Sequence, residues 1–86
     1  MDVHTLRNKY YQHHPDGHYF DPDTLRFFGE RWSEMRVLKK PVTVKDYSGK
    51  EHECWVLSSV QRPHFSKPHR VYHYFDTSTF EDIIPG

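Results

Sequence analysis

The first residues of the chain carry an apolar side chain at every third or fourth position. Val3, Leu6 and Tyr10 recur at i, i+3 and i+7 among charged and amide residues, a spacing that places them on one face of a helix. Asp2 is a residue type that accepts hydrogen bonds from the first backbone N–H groups of a helix. The Pro-Asp-Gly that follows is typical of a turn. The pattern therefore predicts a helix over residues 2–14.

A second, short helix is predicted where two aspartates flank a proline. Asp21 can cap this helix, Pro22 suits its first position, and Asp23 lies near the positive end of its dipole. Gly29 is a common helix stop, and the apolar residues before it are Leu25, Phe27 and Phe28. We expect a helix of about two turns over residues 22–28, held by packing rather than by intrinsic propensity.

From residue 41 onward the apolar period changes to two, which is typical of strands. Val42 and Val44 alternate with polar residues, and Ser48-Gly49 suits the turn of a hairpin. A later run of β-branched and aromatic residues predicts a third strand. The expected strands cover about residues 41–46, 53–60 and 69–75.

Two segments fit more than one structure. Residues 30–40 have apolar residues at helical spacing, but residues 36–38 also fit the start of a strand. Residues 80–84 fit a final turn or a short helix. Taken together, the predicted fold class is α+β: an N-terminal helix and a short helix packed on a three-stranded antiparallel β-sheet. The length predicts a single domain, residues 1–86.

The predicted core is rich in aromatic residues. Hydrophobic residues make up 35% of the chain and the mean hydropathy is -0.94, but aromatic residues reach 16% and the net charge is zero, which argues against disorder. A domain of this size has a thin core, which a metal or a partner often supports. We expect these residues to be mostly buried: Phe20, Leu25, Phe28, Trp55, Leu57, Val71 and Phe75.

The chain holds eight histidines and one cysteine, and several of them are grouped. Imidazole nitrogen and thiolate sulfur are the ligands that structural zinc sites use. Residues i and i+2 of a strand share a face, so one ion is within reach of both residues of the His52-x-Cys54 pair. The pattern predicts one structural zinc, with Cys54, His52, His73 and one of His14 or His18 as ligands. The alternatives are a buried free thiol and histidines that favour a helix C-terminus.

The single cysteine also bears on the cellular compartment. It excludes an intrachain disulfide framework and fits a reducing environment. No apolar run approaches the ~18 residues of a membrane span, and the first residues lack the apolar region of a signal peptide. We expect a cytoplasmic protein.

The sequence offers little catalytic machinery. Asp16, Asp21 and Asp23 lack the later oxygen ligands of a calcium-binding loop. Ser58-Ser59 has no glycine elbow or oxyanion motif beside it. We therefore expect that the protein is not an enzyme.

The stretch Gly17-His18-Tyr19-Phe20-Asp21-Pro22-Asp23-Thr24-Leu25-Arg26-Phe27-Phe28-Gly29 resembles a segment of small proteins of bacteriophages and mobile elements. Residues 54–59 and 70–76 are similar to later strands of those proteins, so the resemblance covers about two thirds of the chain. It implies a phage or mobile-element origin and a small α+β fold, and it implies no activity. The high histidine content is a departure from that pattern.

The predicted function is stoichiometric binding. A small non-enzymatic phage protein with exposed aromatic residues suits an inhibitor of a host defence complex, most plausibly a CRISPR effector, that acts by occupying its surface. The predicted anchors are Arg31, Arg62, Arg70, Tyr72 and Tyr74. The alternative is a nucleic-acid-binding accessory module that stacks bases on the third strand. The balance of 12 basic and 12 acidic residues gives that alternative no overall attraction to phosphate.

Overall fold

The chain forms a helix followed by antiparallel strands, so the predicted α+β class is confirmed. The computed structural model describes residues 1–21, 23–24 and 26–86. Helix α1 spans Val3–His13, within the predicted range. Among the described residues, no helix has both the length and the apolar character needed to cross a membrane.

Helix α1 begins and packs as its sequence pattern predicts. The carboxylate of Asp2 accepts a hydrogen bond from the Thr5 backbone N–H at 2.7 Å, which satisfies one of the free donors of the first turn. Val3, Leu6 and Tyr10 are buried, so the predicted apolar face is the packed face. Both features are local, and the sequence specifies them directly.

The predicted short helix at residues 22–28 is wrong, because a hairpin forms there. Strand β1 (Phe20–Asp21) pairs antiparallel with strand β2 (Arg26–Phe27). Phe28 and Gly29 then adopt left-handed backbone angles, with φ of 59° and 72°, which no α-helix contains.

Asp21 explains why the helix does not form. Its carboxylate accepts hydrogen bonds from the backbone N–H groups of Asp23 at 2.9 Å and Thr24 at 3.4 Å. Aspartate makes this contact in turns as readily as it caps helices, so the same sequence signal fits both structures. Pro22 and Leu25, which belong to the predicted helix, lie outside the described residues.

The main sheet has five antiparallel strands rather than the three that were predicted. The expected hairpin and third strand are present, and two strands of two residues each extend the sheet. In chain order the strands are β3 (Arg36–Val37), β4 (Val42–Lys45), β5 (Glu51–Gln61), β6 (His69–Asp76) and β7 (Asp82–Ile83). The segment at 80–84, expected as a turn or helix, thus contains an edge strand.

Strand β5 is the centre of this sheet. On one side it pairs with β4 through its first residues and with β3 through Leu57 and Ser58. On the other side it pairs along its length with β6, which in turn pairs with β7. A short 3-10 turn, Trp32–Glu34, precedes β3. The interpretation of residues 36–38 as the start of a strand is therefore correct for its first two residues.

Alternation along β5 and β6 gives the sheet two different faces. Leu57 and Phe75 point toward α1 and pack with residues of the helix and the hairpin in the main core. Cys54, one position out of phase with Leu57, points to the opposite face and packs with Val44 and Ile83. The main core therefore lies between α1 and one face of the sheet.

The burial predictions are correct only in part. Leu57 and Phe75 are fully buried, as expected. Four residues expected to be mostly buried lie at the margin of the core and are only partly covered: Phe20, Phe28, Trp55 and Val71. Leu25 is outside the described residues. Within the hairpin it is Phe27 that points inward and is fully buried, because the strand rather than a helix sets the side-chain direction.

Candidate partner-binding surface

The sheet face opposite α1 carries a continuous row of apolar side chains. The backbone N–H of Leu38 donates to the Val56 carbonyl at 3.0 Å. Val56 pairs with Tyr74 on β6, and Tyr74 pairs with Ile83 on β7. Residues paired across an antiparallel sheet point to the same face. The row therefore crosses the whole sheet from edge to edge.

Several apolar residues of this face are exposed. Tyr72 is 51% exposed, Leu38 44% and Val42 37%. We call this surface the open face and define it by Leu38, Val42, Tyr72 and Tyr74; Val56, which lies between Leu38 and Tyr74, is buried, at 2%. Of the described residues, those in the buried cluster on this side all belong to strands, so α1 and the hairpin are not part of it. The last residues of the chain reach β4, where the backbone N–H of Gly86 donates to the Lys45 carbonyl at 3.0 Å. Large exposed apolar surfaces of this kind often mark interaction sites.

Two arginines border the open face beside Tyr72. Arg36 pairs with Ser58, and Ser58 pairs with Tyr72, which places the three side chains in one row. Arg70 Nη1 donates a hydrogen bond of 2.7 Å to Ser58 Oγ, so its guanidinium is held over the same row. The structure thus brings together three predicted anchors, Arg70, Tyr72 and Tyr74.

The other two predicted anchors, Arg31 and Arg62, lie at the end of β5 along a cleft. Both terminal nitrogens of Arg62 donate to the Glu34 carboxylate, with Nη2 2.6 Å from Oε1. This two-point contact lowers the pKa of Glu34. Arg62 therefore fixes the 3-10 turn to the end of β5.

The zero net charge hides an uneven distribution along the sheet. Near the end of β5 and the start of β6, arginine and lysine outnumber the carboxylates, which are Asp21, Glu30 and Glu34. The basic residues are Arg26, Arg31, Arg36, Arg62, Lys67 and Arg70. The opposite end of the sheet has two lysines and several carboxylates, which are Asp46, Glu51, Glu53, Asp76 and Glu81. The arginine-rich end is continuous with the open face at Arg70.

The residues predicted to bind zinc are not brought together. Cys54 pairs with Asp76, and His73 lies three positions before Asp76, so the sheet separates Cys54 from His73. The His73 ring stacks on Phe28, with ring centroids 4.0 Å apart, and burial lowers the pKa of His73.

His52 is on the same face as Cys54, but it makes other contacts. Its Nε2 lies 2.7 Å from Asp46 Oδ2 and its Nδ1 lies 3.1 Å from Asp76 Oδ2. Both ring nitrogens are therefore occupied by carboxylates. Cys54 is fully buried, and desolvation raises the pKa of its thiol to about 11, whereas a metal takes the thiolate.

The remaining predicted ligands lie at the end of α1. His14 Nε2 is 2.8 Å from the Thr79 carbonyl oxygen, and His18 is exposed. Among the described residues, no three His, Cys, Asp or Glu side chains are grouped so that they could hold a metal ion. Zinc binding stays a prediction. About one equivalent of zinc in untagged protein, with melting sensitive to a chelator, would support it, and less than about a tenth of an equivalent would contradict it.

Leu38 and Val42 of the open face, and Arg36 beside it, were not predicted from the sequence as binding residues. The alternation in Arg36-Val37-Leu38 was the available signal, since residues i and i+2 of a strand share a face. What it could not show is that this strand pairs with the second half of β5, next to Ser58. That pairing is what places Arg36 beside Tyr72.

No known protein family, no curated protein and no solved structure matches this chain. The resemblance of residues 17–29 to phage and mobile-element proteins therefore stays a prediction. The open face and the arginines beside it are the features of the molecule that bear most directly on function.

Proposed function

We propose that this chain is a non-enzymatic binding protein that attaches to a partner protein through its open face. The observation that carries the proposal is the exposure of Leu38, Val42 and Tyr72 on the sheet face opposite α1. Burying such side chains against a partner supplies the apolar centre of an interface, and tyrosine is among the residues that contribute most to binding energy.

The chemistry around the open face defines the kind of partner. Arg36 and Arg70 flank Tyr72, and the hydrogen bond from Arg70 to Ser58 holds one guanidinium in place before binding. A side chain that is already ordered loses less conformational entropy on association. The partner is therefore a protein surface with an apolar patch bordered by carboxylates.

The resemblance to phage and mobile-element proteins supplies the biological setting. A phage protein that occupies an acidic, partly apolar surface of a host defence complex blocks that complex without turnover. A CRISPR effector is the partner we propose, since cleavage by such a complex depends on a conformational change and can be blocked wherever a surface needed for function is covered.

Titration of inhibition against a panel of purified defence complexes tests this proposal. A stoichiometric inhibitor lowers activity in proportion to the inhibitor-to-target ratio and saturates near equivalence when the target is well above the dissociation constant. Inhibition by strongly substoichiometric protein would point to catalysis instead. No effect on any member of the panel would contradict the inhibitor proposal.

A second candidate is a nucleic-acid-binding accessory module, favoured by the arginine-rich end of the sheet beside the exposed Tyr72. Guanidinium groups contact phosphates and tyrosine rings stack on bases. Salt distinguishes the two candidates. The affinity for a nucleic-acid strand falls steeply as the salt concentration rises, because binding releases counterions, whereas the affinity of an interface with an apolar centre changes much less.

A further inference from the structure

A cleft of about 420 Å³ lies between the turn after β2 and the end of β5. Three arginines line it: Arg26 and Arg31 from the turn side, and Arg62 from the end of β5. Its volume is in the range of small-molecule sites, well above what a single inorganic ion needs. The cleft does not include Tyr72 or any other residue that defines the open face.

The arginines of the cleft differ in whether a carboxylate of the protein already pairs with their charge. Arg62 is held by the Glu34 carboxylate through two hydrogen bonds. Arg26 and Arg31 are exposed, and among the described residues neither forms an ion pair with a carboxylate. Glu30 is the one acidic residue in the cleft lining, and burial, followed by repulsion from Glu34, raises its pKa. The lining therefore keeps a surplus of positive charge.

Two apolar side chains also line the cleft, beside Gly29, Glu30 and Gln61. Phe28 and Val60 line it, and the Phe28 ring is fixed by its stacking on His73. Phe28 holds a left-handed φ of 59°, which is uncommon for a bulky residue, and it is followed by Gly29 at 72°. These two residues turn the chain so that Arg31 faces the same cleft as Arg62.

We infer that this cleft binds a nucleoside phosphate. A phosphate group carries up to two negative charges and presents several acceptor oxygens, which matches the surplus of guanidinium groups in the cleft better than one carboxylate does. Phe28 and Val60, which line the same cleft, supply apolar contact for a nucleobase. This goes beyond binding of a protein partner, because the site takes a ligand of different chemistry.

Nucleotide binding to the cleft is tested by following the amide chemical shifts of isotope-labelled protein in titrations with adenosine monophosphate, adenosine and inorganic phosphate. We expect saturable shifts centred on Gly29, Arg31 and Gln61 with the nucleotide, and at least about tenfold weaker binding of adenosine and of phosphate alone, since each lacks one of the two contacts. A titration with a 5′-phosphorylated trinucleotide then distinguishes the two sources of the nucleoside phosphate. Tighter binding of the trinucleotide than of the mononucleotide identifies the end of a nucleic-acid strand as the ligand, and equal binding identifies a free nucleotide.

Matched variants make the test specific. The double variant Arg26→Gln, Arg31→Gln should weaken nucleotide binding at least about tenfold. The control Lys39→Gln, Lys40→Gln removes two charges outside the cleft lining and should change binding less than about twofold. Tyr72→Ala should keep nucleotide binding whether or not the open face binds a protein. No saturable shift at millimolar nucleotide, or equal weakening by the arginine and lysine variants, would overturn the inference.

Discussion

His52 Nε2 lies 2.7 Å from Asp46 Oδ2, and this contact ties the turn between β4 and β5 to the central strand. The second ring nitrogen, Nδ1, lies 3.1 Å from Asp76 Oδ2 at the end of β6. A carboxylate oxygen only accepts, so both ring nitrogens must carry a proton to donate. The geometry therefore requires the charged imidazolium, and we call the three residues the His52 bridge.

The His52 bridge predicts how stability depends on pH. Hydrogen bonds to Asp46 and then to Asp76 raise the pKa of His52 above its ordinary 6.5, so this stabilisation is complete below that value and is lost as pH rises through the folded pKa. Hydrogen bonds from Ser48 and then His52 lower the pKa of Asp46 below its ordinary 3.8, so that contribution is lost as pH falls further. The bridge stabilises most between these two ordinary values.

Melting temperatures of the wild type and of His52→Gln, measured from acidic to alkaline pH, test this prediction. The gap in melting temperature between the two proteins should be widest at mildly acidic pH and should narrow as pH rises through the raised pKa of His52. His64→Gln is the control, since His64 is exposed in the loop before β6. A gap that does not change with pH would show that His52 acts through packing alone.

The main core predicts a large effect of Phe75→Ala. Phe75 is fully buried and its ring contacts those of Tyr10, Phe27 and Phe28. Removing a buried aromatic ring usually costs about 3–5 kcal/mol, which is a large share of the stability of a small domain. Urea unfolding measures the loss, and Phe65→Ala, at a fully exposed position, should change stability by less than about 0.5 kcal/mol.

Adjacent serines on β5 are expected to behave oppositely. The Ser59 hydroxyl is buried and, among the described residues, has no hydrogen-bond partner. Burying an unpaired hydroxyl costs roughly 1–3 kcal/mol, so Ser59→Ala should leave stability unchanged or raise it. Ser58→Ala removes the acceptor of Arg70 and should lower stability by about 1 kcal/mol. Equal losses in the two variants, measured by urea unfolding, would contradict this assignment.

The accuracy of the sequence predictions follows how local each interaction is. Helix α1 could be predicted because its cap and its apolar stripe lie within a few residues of one another. The hairpin at 20–27 could not be predicted, since an aspartate such as Asp21 accepts hydrogen bonds from following backbone N–H groups both at a helix start and in a turn. The pairing of β3 could not either, because its partner Ser58 is distant in the chain. Strand β7 was missed although its partner Phe75 is only seven residues before Asp82, because a strand of two residues is too short to show an apolar period.

In the candidate sites, too, residue groups within one strand could be predicted, whereas contacts between elements could not. The sequence identified Arg70, Tyr72 and Tyr74 as a group because alternate residues of one strand share a face. It placed His52 with Cys54 for the same reason, but the carboxylates that hold His52 come from a turn and from β6. Tertiary contacts therefore decided what the histidine does.

The open face predicts which substitutions weaken partner binding. Tyr72→Ala and Leu38→Asp remove apolar contact from the surface, and each should raise the dissociation constant at least about tenfold, or about 1.4 kcal/mol. Both side chains are substantially exposed, so folding should be little affected. Circular dichroism and melting temperature check that the variants remain folded.

The comparison of Tyr72→Ala with Tyr47→Ala, in a titration against the inhibited complex, tests the binding role of the open face most directly. Tyr47 is the matched control, since it is 80% exposed and lies in the turn between β4 and β5, outside the residues that define the open face. We predict that Tyr47→Ala inhibits like the wild type, with saturation near equivalence, and that Tyr72→Ala needs at least about tenfold more protein. Equal inhibition by the two variants would contradict partner binding through the open face.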